Sequence, residues 1–400
     1  MSLKSWERRG KRVLTRAFSR AVGRGPSDEP LPDLATLERI LLVRQHNQLG
    51  DMLLGSPILR AVRARAPRAR IDLVSGPFNH EAVRGSRHVD EVLLYDKARL
   101  LRRPLEAKRF AERLADARYD LALVVSSVAF SHTSAWIAVL SQAERRAGRP
   151  GPGGGGADVA RDLFDWVLPA PHEGRHQTGV HLDLVAPFGA ATDDWRPDIT
   201  LDEAEAAEGR DALHAVLGPR GGSLRVVVHP GAGKEANRWP ADRFGEVCAA
   251  LRSLGHRVCV CVGPAERGLL TEMDGGAGVA LPRLPPLVVH GLGGALADCD
   301  LALVNDTGVL HLAAAVGTSV LALFGPTDPG VWCPAAPSVW TMRAADGRMA
   351  SLATDAVSRA ALGLAAHVTG DARPPASLQP APSPTPAPPA AVEPTPGPTG

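Results

Sequence analysis

The chain has 400 residues, is 44% hydrophobic and carries a formal net charge of +2, enough apolar content for two cores and too small a basic excess for a nucleic-acid footprint. Its five cysteines (Cys248, Cys259, Cys261, Cys299, Cys333) show no paired-ligand spacing, which points to reduced structural thiols and to no metal site. No apolar run approaches the roughly 20 residues that span a bilayer, and the N-terminus lacks the apolar stretch of a secretory signal, so a cytoplasmic location is expected.

Residues 1–25 hold Lys4, Arg8, Arg9, Lys11, Arg12, Arg16, Arg20 and Arg24 against the single acid Glu7, with Leu3, Trp6, Val13, Leu14, Ala17, Phe18, Ala21 and Val22 at helical spacing. The pattern predicts a basic amphipathic helix within an extension over 1–38. Such a segment is either a solvated arm or a reversible peripheral anchor on an anionic membrane, where each basic group adds about 1 kcal/mol.

Apolar runs at 40–43, 71–74, 92–95 and 121–125 are separated by helical-length segments, the signature of a parallel sheet buried on both faces. After a charged helical stretch at 202–217, runs at 226–228, 258–262, 301–304 and 320–324 repeat the alternation. The expected fold is therefore α/β with two Rossmann-like doubly wound domains, at 39–195 and 196–345. A C-terminal helix is expected at 346–369. Residues 370–400, with eleven prolines among the last thirty residues, are expected to form a disordered tail. The glycine run 153–156 stands away from any strand-to-helix junction and reads as a surface loop. No Walker-type sequence and no Gly-x-Gly-x-x-Gly follows the first strand, which weakens kinase, ATPase and dehydrogenase readings.

Ligands of open α/β sheets sit at the carboxyl ends of strands, and four such junctions are unusual. At Gln48-Leu49-Gly50-Asp51 a carboxylate opens a helix; the residues alone favour an N-cap, worth about 1 kcal/mol, over a general base facing the cleft. At His229-Pro230-Gly231-Ala232-Gly233-Lys234 and on to Arg238-Trp239-Pro240, two glycines coincide with the cations Lys234 and Arg238, which favours phosphate contact over an ordinary loop. At Gly263-Pro264-Ala265-Glu266 the carboxylate suits ribose hydroxyls and a helix start equally. At residues 305–311 a helix begins with Asp306, Thr307 and Gly308, a start able to hold a diphosphate. His311 follows on the face of Thr307, either as a phosphate contact or as a core histidine.

These residues resemble a known family. Arg44, Leu49-Gly50-Asp51, Pro57, His229-Pro230-Gly231, Arg238-Trp239-Pro240, Gly263-Pro264-Ala265-Glu266, Asn305-Asp306-Thr307-Gly308, His311-Leu312-Ala313-Ala314 and Phe324-Gly325-Pro326-Thr327-Asp328-Pro329 are similar to the motifs of glycosyltransferase family 9, the bacterial lipopolysaccharide heptosyltransferases. The resemblance implies a GT-B fold, with two Rossmann-like domains facing a cleft. It implies inverting, metal-independent transfer of heptose from ADP-heptose to a lipid-linked core oligosaccharide, with no cofactor beyond the nucleotide-sugar donor.

By the same resemblance Asp51 is the catalytic base, Glu266 meets the donor ribose, and Asp306, Thr307, Gly308 and His311 hold the sugar diphosphate. A lipid-linked acceptor also supplies a motive for membrane contact through residues 1–25. The chain departs from the family in placing Asn237 where members commonly have a lysine, which leaves Lys234 or Arg238 to substitute. Only Cys333 follows the Gly-Pro-Thr-Asp-Pro stretch, where many members carry several cysteines. Two alternatives share the architecture: a transferase or epimerase using another nucleotide sugar, and a non-catalytic nucleotide-sugar-binding homologue.

Overall fold

The computed structural model describes residues 23–45, 48–127 and 129–383. The first domain alternates β1 (Arg39–Arg44), α1 (Leu49–Gly55), β2 (Arg70–Ser75), α2 (Pro77–Val83), β3 (Glu91–Leu94), α3 (Lys97–Arg102), α4 (Pro104–Asp116), β4 (Leu121–Val124), β5 (Arg145–Gly148), β6 (Trp166–Val167) and α5 (Gln177–Leu182). Its six parallel strands lie in the order β3-β2-β1-β4-β5-β6. The second domain carries β7 (Arg225–His229), β8 (Arg257–Val260), β9 (Leu301–Asn305), α6 (Gly308–Ala315), β10 (Ser319–Phe324), β11 (Val339–Arg343), α7 (Thr354–Val368) and β12 (Gln379–Pro380). Its order is β12-β11-β10-β9-β7-β8, parallel except where β12 runs against β11.

Both orders reverse direction once near the middle, between β1 and β4 and between β9 and β7, and a doubly wound sheet opens its ligand crevice at that point. The central strands are apolar on both faces because helices cover both. Every residue of β7 and β9 is buried, and only Arg39 of β1 is exposed. Period two then separates the cores. Leu41, Val43, Ala122 and Val124 face one layer, while Ile40, Leu42, Leu121 and Leu123 face another that continues through Leu310 and Leu312 into Val227, Ala302 and Val304 of the second domain. One apolar cluster thus joins the two halves. The charged stretch forms a helix over Glu203–Leu217, begun by Asp202, whose carboxylate accepts from the Glu205 N–H at 3.0 Å, and ended by Gly218 at φ +73°.

Two expectations change at the termini, and a third lies outside the described residues. Residues 1–22 lie outside the described residues, and the predicted basic helix falls almost wholly there; residues 23–25 are not helical. The chain that follows lies along the first domain, where the Arg24 guanidinium donates to the Glu144 carbonyl and the Trp166 indole N–H to that of Glu29. The C-terminal helix starts at Thr354 rather than 346 and packs on the second core through Val357, Ala361 and Leu364. Residues 370–383 are corrected from tail to fold: Leu378 is buried and β12 pairs antiparallel with β11. One large apolar side chain and an edge position that tolerates Pro380 suffice for that ordering. Residues 384–400 lie outside the described residues.

All five cysteines are free and buried, and burial pushes the Cys248 and Cys261 thiols up to about 12. Among the described residues no helix is long and apolar enough to cross a membrane.

Candidate active site

The cleft is lined from both switch points. On the first-domain side β1 ends at Arg44 and α1 starts at Leu49, so Asp51 is the third residue of the helix and Gln48 occupies the N-cap. The N-cap reading of Asp51 is therefore corrected: its carboxylate lies in the first turn, near the positive end of the helix dipole, and is buried. Behind it, Arg44 donates through Nη2 to the Asp51 carbonyl at 2.7 Å and through Nη1 to His181 Nε2. Since arginine can only donate, His181 Nε2 must be the acceptor and the ring carries its proton on Nδ1, a buried atom without a partner. Burial, aided by the Arg44 charge, holds His181 well below its ordinary range. Burial also pushes Arg44 down to about 10, against the pull of Asp51, so the guanidinium stays charged at neutral pH.

On the second-domain side Asn305, the last residue of β9, clamps the 229–240 loop at both ends. Its Nδ2 donates to the carbonyls of Pro230 (2.8 Å) and Gly231 (3.3 Å), and its Oδ1 accepts from the Trp239 N–H (3.2 Å). Trp239 is buried on Phe244 with its indole N–H bonded to the Leu352 carbonyl, which anchors the loop in the core. Gly231 approaches so closely that a Cβ there would collide with the Glu266 carboxylate. Glu266 accepts from the Gly263 N–H at 2.9 Å and stands 3.8 Å from His229 Nε2, so it closes its own turn at the edge of the cleft.

The two cations of this loop divide. Arg238 donates through Nε to the Ala232 carbonyl at 2.9 Å and braces the loop, whereas Lys234 is exposed and its charge reaches Asp306. Asn237, buried at the family's lysine position, donates through Nδ2 to Asp306 at 3.2 Å and leaves its Oδ1 without a partner.

Asp306 itself is raised above the usual carboxylate range, chiefly by burial. The Thr327 hydroxyl, which faces it outside good hydrogen-bond geometry, and Lys234 oppose the rise, while Asp51 across the cleft adds to it. A group whose folded pKa is raised costs no stability below its unfolded value, about 3.9, and destabilises the fold as pH rises through the folded one. Asp306→Asn is therefore expected to raise neutral-pH stability, a gain that narrows below about pH 4 in urea denaturation at the two pH values.

Thr307 is the N-cap of α6 and makes no side-chain cap bond, so the N–H groups of the first turn point into the cleft unclaimed by its hydroxyl. Gly308 lies against Leu49 of α1, and the buried His311 ring lies against Gly50. Burial pushes His311 down to about 3, and its Nδ1 has no partner, so it is a neutral N–H donor or acceptor between the domains. His176 ties the domains a second time, bonding through Nε2 to the Cys333 carbonyl at 2.8 Å. The structure thus brings Asp51, Lys234, Asp306, Thr307, Gly308 and His311 to one cleft, with Glu266 at its edge and Arg238 in the supporting loop. Sequence reasoning missed Asn305, His181 and His176 as positioning groups; only the place of Asn305 at a strand end signalled one of them.

The family model described as glycosyltransferase family 9 (heptosyltransferase) matches residues 107–359. Lipopolysaccharide heptosyltransferase 3 of Escherichia coli K12 is 33% identical over 179 residues, which are 41% of this chain and 48% of that protein, so the match spans about half of that relative. Lipopolysaccharide heptosyltransferase 1 of Pseudomonas aeruginosa is 28% identical over 306 residues, 73% of this chain and 80% of that one. A crystal structure of a family 9 glycosyl transferase from Veillonella parvula superposes with a TM-score of 0.72 at 18% identity, over 85% of this chain and 99% of that one, which shows the shared two-domain GT-B fold. With more than half of its length matched by the family model, this chain belongs to glycosyltransferase family 9 and is a glycosyltransferase.

Proposed function

We propose that this glycosyltransferase moves heptose from ADP-heptose to a lipopolysaccharide core acceptor, inverting the anomeric carbon without a metal. The observation that carries the reading is the meeting of Asp51 with the start of α6 across one cleft, at the switch points of both sheets. The acceptor oxygen attacks the anomeric carbon from the face opposite the diphosphate, its proton passes to the Asp51 carboxylate, and the bond from that carbon to the diphosphate oxygen breaks. Negative charge then grows on ADP, where the N–H groups that open α6 and the Lys234 ammonium receive it; such preorganised electrostatics is usually the largest catalytic term. Glu266 is assigned to the donor ribose. The heptose and core assignments are supported by the names of the two heptosyltransferase relatives.

A nucleotide panel tests the donor. ADP at about 100 times its Kd should stabilise the chain by about 2.7 kcal/mol in a thermal melt, and UDP and dTDP should not. Stabilisation by UDP or dTDP alone would overturn the ADP reading, and ADP release from ADP-heptose only in the presence of a core acceptor completes the test.

Asn237 gives the non-catalytic reading its one specific motive. Asn237→Lys places an ammonium against Asp306 and is expected to lower the donor KM about three- to tenfold. An unchanged KM means that Lys234 already does the work of the missing cation. The protein is proposed to act in the cytoplasm at the membrane face, with residues 1–25 as a peripheral contact.

A further inference from the structure

The rim that carries Asp51 continues toward the free edge of the first sheet. Leaving β1 the chain reaches Asp51, leaving β2 it exposes Phe78 in the first turn of α2, and leaving β3 it enters α3, a helix with no buried side chain. Since the strands lie in the order β3-β2-β1 and α4 must return the chain to the amino end of β4, the turn between α3 and α4 stands on the same side of the sheet as the cleft. At this turn Leu101 is 75% exposed and Leu105 73% exposed.

Single exposed leucines are ordinary. This pair brackets Arg102, Arg103 and Pro104 and is preceded by Lys97 and Arg99, whereas Lys108 and Arg109 face the amino ends of the strands, Arg109 beside Arg39, Arg70 and Glu91. Glu106 takes Arg99 and Arg103, while among the described residues Lys97 and Arg102 have no ion pair. Apolar side chains raised above the surface and flanked by uncommitted cations match the chemistry of an anionic phospholipid surface: acyl chains for the leucines, headgroup phosphates for Lys97 and Arg102.

We propose that the α3–α4 turn is a membrane-docking surface that seats the first domain on an anionic bilayer with the cleft facing along it. This contact is distinct from the one assigned to residues 1–25. The described chain begins with Arg24 bonded to the Glu144 carbonyl and Glu29 paired to Arg145, at the amino end of β5, the opposite end of the sheet from the cleft.

Cosedimentation of the full chain with vesicles of phosphatidylethanolamine and phosphatidylglycerol, against vesicles of phosphatidylcholine, tests the proposal. No donor or acceptor is present, so the outcome is independent of the sugar transferred. The chain is expected to bind the phosphatidylglycerol vesicles preferentially, and Leu101→Asp with Leu105→Asp to weaken that binding by at least about tenfold. Both side chains are exposed, so the melting temperature and the shift with ADP should stay as in the parent. A second variant, Lys97→Gln with Arg102→Gln, keeps the apolar pair and should lose the phosphatidylglycerol preference. A chain lacking residues 1–22 should retain that preference. Parent-like binding by both variants overturns the proposal, as does equal binding to phosphatidylcholine, absence of binding by the parent, or complete loss on deleting residues 1–22 alone.

Discussion

Asp51→Asn is expected to lower sugar transfer by about 10²- to 10⁴-fold, the range for a positioned general base, while ADP still raises the melting temperature as in the parent chain. The two readouts separate because the residue works through two different groups. Its carboxylate faces the cleft, but its carbonyl is what Arg44 holds, and asparagine keeps that carbonyl and nearly the same volume. The helix and its place in the cleft should therefore survive the substitution. ADP is proposed to bind the other wall, on α6 and the 229–240 loop, and on that assignment loses nothing that it contacts. Asn also removes the charge that adds to the burial-driven rise of Asp306, so any change there is toward easier ionisation of Asp306. Undiminished turnover would remove Asp51 from the base role, and a collapse of both turnover and the ADP shift would make it structural.

That wall-by-wall division was legible in the sequence only in part. β1, β7 and β9 are central strands covered on both faces, so their buried residues form continuous apolar runs. β5 is equally buried but reads Arg-Arg-Ala-Gly. The Asp165 carboxylate lies 3.8 Å from Arg146 Nε and accepts from the Arg146 N–H, and Gly148 leaves room for the Phe164 ring. No periodicity could reveal a strand whose burial depends on a partner nineteen positions away.

The same limit governs the site. Gly231, Glu266 and residues 305–308 follow strand ends and could be placed from topology alone, whereas the bracing role of Arg238 depends on which way a loop folds. Asp51 was misjudged as a cap by three positions, since Gln48 takes that place without a side-chain bond and so leaves no capping signature. For β12 the composition concealed the answer, because the anchoring of residues 370–383 comes from one leucine and a sheet edge rather than from overall apolar content.

His311 was assigned to the diphosphate, yet the structure sets its ring against Gly50, and one pair of substitutions separates the two roles. A Cβ at Gly50 would stand 2.6 Å from His311 Cδ2 and 3.1 Å from Nε2. The ring is buried, so Gly50→Ala is expected to push α1 and α6 apart. Misplacement of reacting groups by about 1 Å costs on the order of 10²-fold, so transfer is expected to fall roughly 10- to 100-fold while the fold holds. His311→Ala in the same chain empties the space that the new methyl needs. If the ring acts as a spacer, the double variant recovers part of the lost rate, a favourable coupling between neighbours. If it also donates to the diphosphate, His311→Ala alone raises the donor KM and the double variant is slower than Gly50→Ala. With its pKa near 3 the ring cannot act as a cation at neutral pH, so either result should leave the pH profile of transfer unaltered above pH 5. Parent-like turnover of Gly50→Ala would show instead that the domains tolerate a wider gap, and that the contact between Gly50 and His311 does not set the distance from Asp51 to the donor.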